Sequence, residues 1–312
     1  MLDSYFAYKG EDGKVVAARK WVPGKKAEVT HPVRAIVQIV HGMAEHIGRY
    51  HHFAKKLAED ARILTAGNDL RGHGQTAGSL DQVGRVTEEW EVMLKDVQLL
   101  AARLRREYPR RPLIMFGHSF GSIVVQALLP QMSEQIDGII LSGIPAASEW
   151  ERKLGEWIVH LQMPLMGRAA KARLLTKLTF LGHNRGFYPR TTSYDWLSRD
   201  RSQVAAYVQD PYCGQACSLQ FYRNLFVGLN AVSRLPHHKI RYDLPVLLLA
   251  GDQDRAGKGR TGTESAKQAL ENAGLTDVTS IIYEGGRDEM LNEVNRLDVY
   301  EDILHWIELR VL

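Results

Sequence analysis

The stretch that decides the fold is Leu113-Ile114-Met115-Phe116-Gly117-His118-Ser119-Phe120-Gly121-Ser122-Ile123-Val124-Val125. Its first four residues are apolar and end at a glycine, which reads as a buried strand. The longer apolar run from Ile123 to Leu129 reads as a helix packed on a sheet. Ser119 therefore falls between the end of a strand and the start of a helix. That is the context in which a G-x-S-x-G turn lifts a serine hydroxyl above the edge of a sheet. Glycine stands on both sides of it because so tight a turn leaves no room for a larger side chain. The free N–H groups that open the next helix then face any oxyanion formed beside Ser119.

Working outward, the same alternation repeats. An apolar strand at 35–40 ends in His41-Gly42-Met43, and another at 63–66 leads into Asn68-Asp69-Leu70-Arg71-Gly72-His73-Gly74. Between them Tyr50, Phe53 and Leu57 mark one face of a helix. Trp90, Met93, Leu94, Val97, Leu100, Ala101 and Leu104 recur at helical spacing until Tyr108-Pro109 stops the run. A further strand is expected at 138–142. Strand and helix in turn specify a mostly parallel central sheet with helices on both faces. Such sheets carry their chemistry at the carboxyl ends of the strands, where Met43, Asp69 and Ser119 all fall. Residues 5–9 and 15–21 flank a Gly10–Gly13 turn and read as an N-terminal hairpin.

The pattern changes at 145–242, where helix-like pieces follow one another without a strand. Trp157, Ile158 and Leu161 mark one apolar face, Leu174, Leu175 and Leu178 a second, and Phe221, Tyr222, Leu225, Phe226 and Leu229 a third. These stripes are expected to pack on the main body. The surplus of Met163, Leu165, Met166, Phe180 and Leu181 suits an acyl-chain pocket, or transient contact with a membrane or micelle surface. Strand character returns at 245–250 and ends in Gly251-Asp252-Gln253-Asp254. A helix at 263–273 capped by Gly274, a strand at 278–283, a loop at 284–293 and a closing helix complete the chain. The expected organisation is a core in two parts, 1–144 and 243–312, with a helical cap inserted at 145–242.

Composition narrows the class. With 45% hydrophobic and 24% charged residues the 312-residue chain reads as an ordinary globular protein. A net charge of +4 is too small to argue for nucleic acid. Its two cysteines, Cys213 and Cys217, make neither a disulfide framework nor a C-x-x-C metal site, so reduced thiols in the cytoplasm are expected. The first residues have no signal-peptide character, and no apolar run is long enough to span a membrane. Residues 256–260 lack the spacing of a phosphate-cradling loop. Neither a cofactor nor a metal is expected.

Three motifs coincide: His41-Gly42 with Glu45-His46 and Arg49-Tyr50; Asp69-Leu70-Arg71-Gly72-His73-Gly74; and the turn at Ser119. Together with Asp210-Pro211-Tyr212-Cys213-Gly214 and Glu289-Met290-Leu291-Asn292-Glu293, they resemble the α/β-hydrolase superfamily. Within it they resemble the monoacylglycerol lipase / lysophospholipase group of serine hydrolases, over nearly the whole chain. The resemblance implies Ser119 as nucleophile, the N–H groups of Met43 and Phe120 as oxyanion hole, and Asp254 as triad acid with Asp252 as a weaker rival. The implied activity is hydrolysis of acyl esters of small lipids through an acyl-enzyme.

One position departs from that pattern. Where the family carries its catalytic histidine, just before Glu289-Met290-Leu291-Asn292-Glu293, this chain has Asp288. A serine hydroxyl needs a base titrating near neutrality that later protonates the leaving alcohol. Aspartate titrates at roughly pH 4, and a carboxylate is shorter than an imidazole. Three accounts stand: an active enzyme with a substitution, a catalytically silent acyl-ligand-binding pseudohydrolase, or recruitment of His41, His46, His118 or His183. A dehalogenase or epoxide hydrolase would place aspartate, not serine, in the turn.

Overall fold

The computed structural model describes residues 1–24 and 32–312. Eight strands form one sheet: β1 (Leu2–Lys9), β2 (Val15–Val22), β3 (Ile36–Val40), β4 (Leu64–Asn68), β5 (Leu113–His118), β6 (Gly138–Ser142), β7 (Val246–Gly251) and β8 (Val278–Tyr283). Their order is β1-β2-β4-β3-β5-β6-β7-β8. β1 and β2 pair antiparallel, as does β2 with β4, and every other pairing is parallel. β5, which delivers Ser119, lies between β3 and β6 near the middle of the sheet.

The central strands read as continuous apolar runs because both of their faces are covered. Alternate side chains point to opposite faces. Leu113 and Met115 of β5 join one core while Ile114 and Phe116 join the other. The first core is roofed by α2 (Trp90–Glu107) and α3 (Phe120–Met132), the second by α1 (His51–Ala61) and α9 (Arg296–Arg310). α8 (Gly259–Asn272) begins four residues before the expected start, with Gly274 two residues past its end in the left-handed region at φ 93°. Residues 256–260 are partly built in: Gly257 is buried and Gly259 opens α8.

Between β6 and β7 lie α4 (Glu149–Met166), α5 (Arg173–Thr179), α6 (Arg201–Gln209) and α7 (Leu219–Val232). Their starts are chemically marked. Ser148 and Glu151 form a capping box on α4, Asp200 accepts the Ser202 N–H on α6 at 2.9 Å, and Ser218 caps α7. α7 lies over the sheet: a Cβ on Gly228 would stand 2.7 Å from the Trp90 ring, so only glycine allows this approach.

Two of the three apolar stripes of this segment are a correction to the sequence analysis; the third, on α7, packs on the core as expected, with Phe221 and Tyr222 fully buried. Ile158 and Leu175 are buried, but Trp157, Leu161, Leu174 and Leu178 are exposed. Trp150, Leu154, Trp157, Leu161 and Leu165 recur every three or four residues along α4 and form an outward stripe. Among the described residues no helix is long and apolar enough to cross a membrane.

Candidate active site

The turn after β5 has the geometry its glycines imply. Ser119 sits at φ 49° and ψ −118°, a region that costs a non-glycine residue roughly 1–3 kcal/mol. The surroundings hold it there. Its N–H donates to the Ser142 carbonyl at 2.9 Å, and its carbonyl accepts the Ser122 N–H at 2.9 Å and the Ser122 hydroxyl at 2.6 Å. A Cβ on Gly117 would lie 2.6 Å from the Gly121 carbonyl oxygen, and one on Gly121 2.7 Å from that of His41. Both glycines are therefore steric requirements of the turn. Phe120 opens α3, so its N–H has no acceptor within the helix. Met43 is half-buried in the loop after β3. Among the described residues neither N–H donates to a protein acceptor. A Cβ on Gly42 would lie 3.3 Å from Ser119 Cβ, so this loop closes directly over the serine.

That loop is fixed by charge. Glu45 Oε1 accepts the Gly42 N–H at 2.6 Å and the Tyr50 hydroxyl at 2.9 Å, and Glu45 Oε2 accepts Arg49 Nη1 at 3.0 Å. Arg49 also forks onto Glu289, with Nη2 to Oε2 at 2.6 Å, and its guanidinium lies 4.8 Å from the Tyr207 ring centroid. Burial pushes the Glu45 carboxyl up and the Arg49 charge pulls it down, with a net shift below the ordinary value. One buried arginine thus joins the Met43 loop, the cap and the loop that carries Asp288. Sequence reasoning quoted these residues without their role; charged residues inside buried runs were the available signal. Asp69 does similar work, accepting the N–H groups of Ile47 at 2.9 Å and Gln75 at 2.7 Å.

Asp254 and Asp288 come to the same side of the sheet and both are buried. Asp254 Oδ1 accepts the Gly257 N–H at 2.9 Å, whereas Asp254 Oδ2 and Asp288 Oδ1 have no partner among the described residues. Burial first, and then the Asp288 charge, push the Asp254 carboxyl up to about 7. His118 faces Asp288, Nε2 to Oδ2 at 3.5 Å. Burial alone would lower that imidazole, but the Asp288 carboxylate outweighs it and the ring is pushed up to about 9. His118 is therefore buried beside Asp288. Asp252 is occupied elsewhere, accepting the Gly285 N–H at 2.8 Å.

The other histidines divide clearly. His41 accepts the Leu70 N–H at Nε2, 2.9 Å, and donates from Nδ1 to the Gly42 carbonyl at 2.8 Å. His46 accepts the Gly48 N–H at Nδ1, 3.2 Å, and donates from Nε2 to Asp210 at 2.9 Å. The ligating atoms of His46, Asp210 and Cys213 lie within 4.8 Å of one another. The hydrogen bonds of His46 make this group a latch between the Met43 loop and the cap, continued by the Gly214 N–H to the Ala44 carbonyl at 2.9 Å. His183, in the cap, has a buried Nδ1 without a partner among the described residues.

A family profile described as Hydrolase_4, serine aminopeptidase, S33, matches residues 31–295. The chain is 27% identical over 304 residues to a monoacylglycerol lipase of Mycolicibacterium smegmatis, across 97% of this chain and 96% of that protein. It is 26% identical over 307 residues to the monoglyceride lipase of Homo sapiens, across 96% and 88%. Among solved structures, a highly thermostable carboxyl esterase from Bacillus coagulans in complex with glycerol matches with a TM-score of 0.87 at 25% identity, over the whole of both chains. A profile covering most of the chain, on this sheet and around this turn, means that the chain belongs to the S33 serine aminopeptidase family and is a monoacylglycerol-lipase-like serine hydrolase of the α/β-hydrolase superfamily.

Proposed function

We propose that the chain hydrolyses carboxylic esters of monoacylglycerols, lysophospholipids or similar acyl lipids through an acyl-enzyme on Ser119. The observation that carries this reading is the strained Ser119 backbone at φ 49°, held between β5 and α3. In the reaction Ser119 Oγ adds to the ester carbonyl carbon. The N–H groups of Phe120 and Met43 hold the oxyanion. The alcohol leaves, and water then releases the fatty acid. Asp254 is the triad acid, and Asp288 stands where the base belongs.

Two features of the cap support an acyl substrate. A groove of about 520 Å³ runs between α4 and α7, lined by Val159, Met163, Phe226 and Val227, with Glu156, His160, Arg168 and Arg223 among its other walls. From Phe226 a row of rings, Tyr222 and Phe221, leads to Phe120 beside the serine, with Phe221 and Phe120 centroids 4.7 Å apart. The outward stripe on α4 then serves transient contact with a membrane or micelle surface. Two buried free thiols, Cys213 and Cys217, suit the cytoplasm.

The test is hydrolysis of p-nitrophenyl and glyceryl esters across acyl lengths, beside Ser119→Ala. Turnover lost in that variant supports the reading; turnover that survives it removes Ser119 from the chemistry. Replacing Trp157 and Leu165 by serine should weaken co-sedimentation with vesicles without moving the melting temperature. Unchanged binding would remove the surface role of α4.

The second reading, a silent acyl-lipid binder, is favoured by one observation, the buried carboxylate of Asp288 at the base position. It predicts retention of fatty acid without turnover, and no gain of turnover in Asp288→His.

A further inference from the structure

We propose that Tyr207 of the cap is a positioning residue for the oxyanion hole, acting through the Ala44 carbonyl to aim the Met43 N–H; this rests on the ester-hydrolase reading above. Ala44 follows Met43 in the chain and is buried. Its φ is 57°, in the left-handed region that a Cβ disfavours. No glycine gives the loop that freedom here, so contacts have to hold it. They converge on the Ala44 carbonyl. The Tyr207 hydroxyl donates to it at 3.0 Å, and the Gly214 N–H donates to it at 2.9 Å. The same N–H lies 3.1 Å from the Tyr207 oxygen, so the two cap groups and the carbonyl close a triangle.

The other side of Met43 is held from the core. Glu45 Oε1 accepts the Gly42 N–H at 2.6 Å. Peptide units are rigid planes, so the direction of an N–H follows from the torsions on either side of it. With Gly42 anchored by Glu45 and Ala44 anchored by the cap, turning the Met43 N–H strains one of these bonds. That N–H has no acceptor of its own among the described residues, so its flanks are what aim it. Tyr207 is itself fixed. It is buried, with the Arg49 guanidinium 4.8 Å from its ring centroid and the Tyr194 ring at 4.9 Å. The Tyr194 hydroxyl donates to the Gly214 carbonyl at 3.1 Å, and a Cβ on Gly214 would stand 2.7 Å from that hydroxyl. Arg49 is the same residue that joins Glu45 to Glu289, so the Tyr207 ring rests on the brace of the site.

The consequence is specific to the transition state. An oxyanion donor acts where charge develops, and its worth depends on being aimed before the charge appears. Losing the Tyr207 hydroxyl leaves the Met43 N–H in place but frees one of the two bonds that hold Ala44. Ground-state binding of an acyl chain does not use that donor, so it should hardly change. Removing an oxyanion donor outright costs about 10²–10³ in kcat, and loosening one through its neighbour should cost less.

The experiment compares Tyr207→Phe, which keeps the ring and removes the hydroxyl, with Tyr194→Phe, which removes a hydroxyl one step further from Ala44. Circular dichroism checks folding. Calorimetric titration measures the affinity for octylboronic acid, whose boron closes on a serine oxygen as a tetrahedral anion, and for octanol, which forms no oxyanion. The chains titrated are the native one, the two tyrosine variants and Ser119→Ala. Tyr207→Phe should weaken the boronic acid about tenfold and the alcohol less than about twofold. Tyr194→Phe should change both less than about threefold. In the Asp288→His background, Tyr207→Phe should lower kcat for p-nitrophenyl butyrate about tenfold, with KM within about twofold. Boronic acid affinity or kcat unchanged in folded Tyr207→Phe would overturn the proposal and leave the ester-hydrolase reading intact. So would an equal loss in Tyr194→Phe, which would mark a general loosening of the cap. A native chain that binds the boronic acid no more tightly than Ser119→Ala does would overturn the hydrolase reading, and this proposal with it.

Discussion

On the proposed reading, the turn at Ser119 and the acid pair at Asp254 and Asp288 are the two halves of one site, and they are built by different means. The serine half is made of backbone: a strained φ, two glycines packed against carbonyls, and two N–H groups without acceptors among the described residues. The proposed proton-transfer half is made of side chains, with Asp288 where the resemblance implies an imidazole. A backbone device needs many residues in place and so survives or fails as a unit. A side-chain device is emptied by one substitution. Scaffold and chemistry can therefore part company within a few ångströms.

The largest effect should come from repairing the weak half. Asp288→His should raise p-nitrophenyl-ester turnover at least 10³-fold, about 4 kcal/mol of barrier, and Ser119→Ala should abolish the gain. A gain below tenfold would mean that the serine half is not competent either.

The brace that joins the two halves comes next. Arg49→Met leaves Glu45 and Glu289 buried without their cation, which should cost roughly 3 kcal/mol or more of unfolding free energy. Urea titration checks it, and a change under 1 kcal/mol would show that the halves are not joined there. Gly121→Ala attacks the serine half alone and should cost about 2–3 kcal/mol by overpacking, read from the same titration. Gly13→Ala is the comparison: nothing lies within 4 Å of its Cβ, so it costs only the roughly 1 kcal/mol of its left-handed φ of 79°. Equal costs at the two glycines would sink the steric account of the turn.

The smallest effect concerns the acid half. Asp254 is raised to about 7 in the folded chain, against roughly 4 when unfolded. A raised carboxyl stabilises the fold fully below its unfolded value and loses that contribution as pH climbs through the folded one. Between about pH 4 and 7 the native chain should lose stability through this group. Asp254→Asn should flatten that slope in urea midpoints taken across the interval. An unaltered slope would show that Asp254 is ionised in the folded chain at pH 5. His118, raised to about 9, works in the same direction in a higher window, losing its contribution as pH climbs from about 6.5 to 9.

Much of the core was legible because its signals are local. β5 and α3 follow from one apolar run broken by Gly117 and Gly121, and Met43, Asp69 and Ser119 fall at strand ends. The cap was less legible. Trp157 and Leu161 follow the same spacing as a buried face, and only the packing of α4 on α7 shows that Ile158 turns inward while they turn out. The Glu45–Arg49–Glu289 brace and the His118–Asp288 pair were not legible as contacts. They join residues 240 and 170 positions apart, and no periodicity encodes so long a reach.

The most direct measurement is the rate at which an alkyl fluorophosphonate modifies the chain, followed by intact mass and peptide mapping, in the native chain and in Asp288→His. The account predicts one adduct, on Ser119, forming slowly in the native chain and at least 100-fold faster in Asp288→His. An adduct on any other residue, or equal rates in the two chains, would contradict a competent serine held beside a missing base.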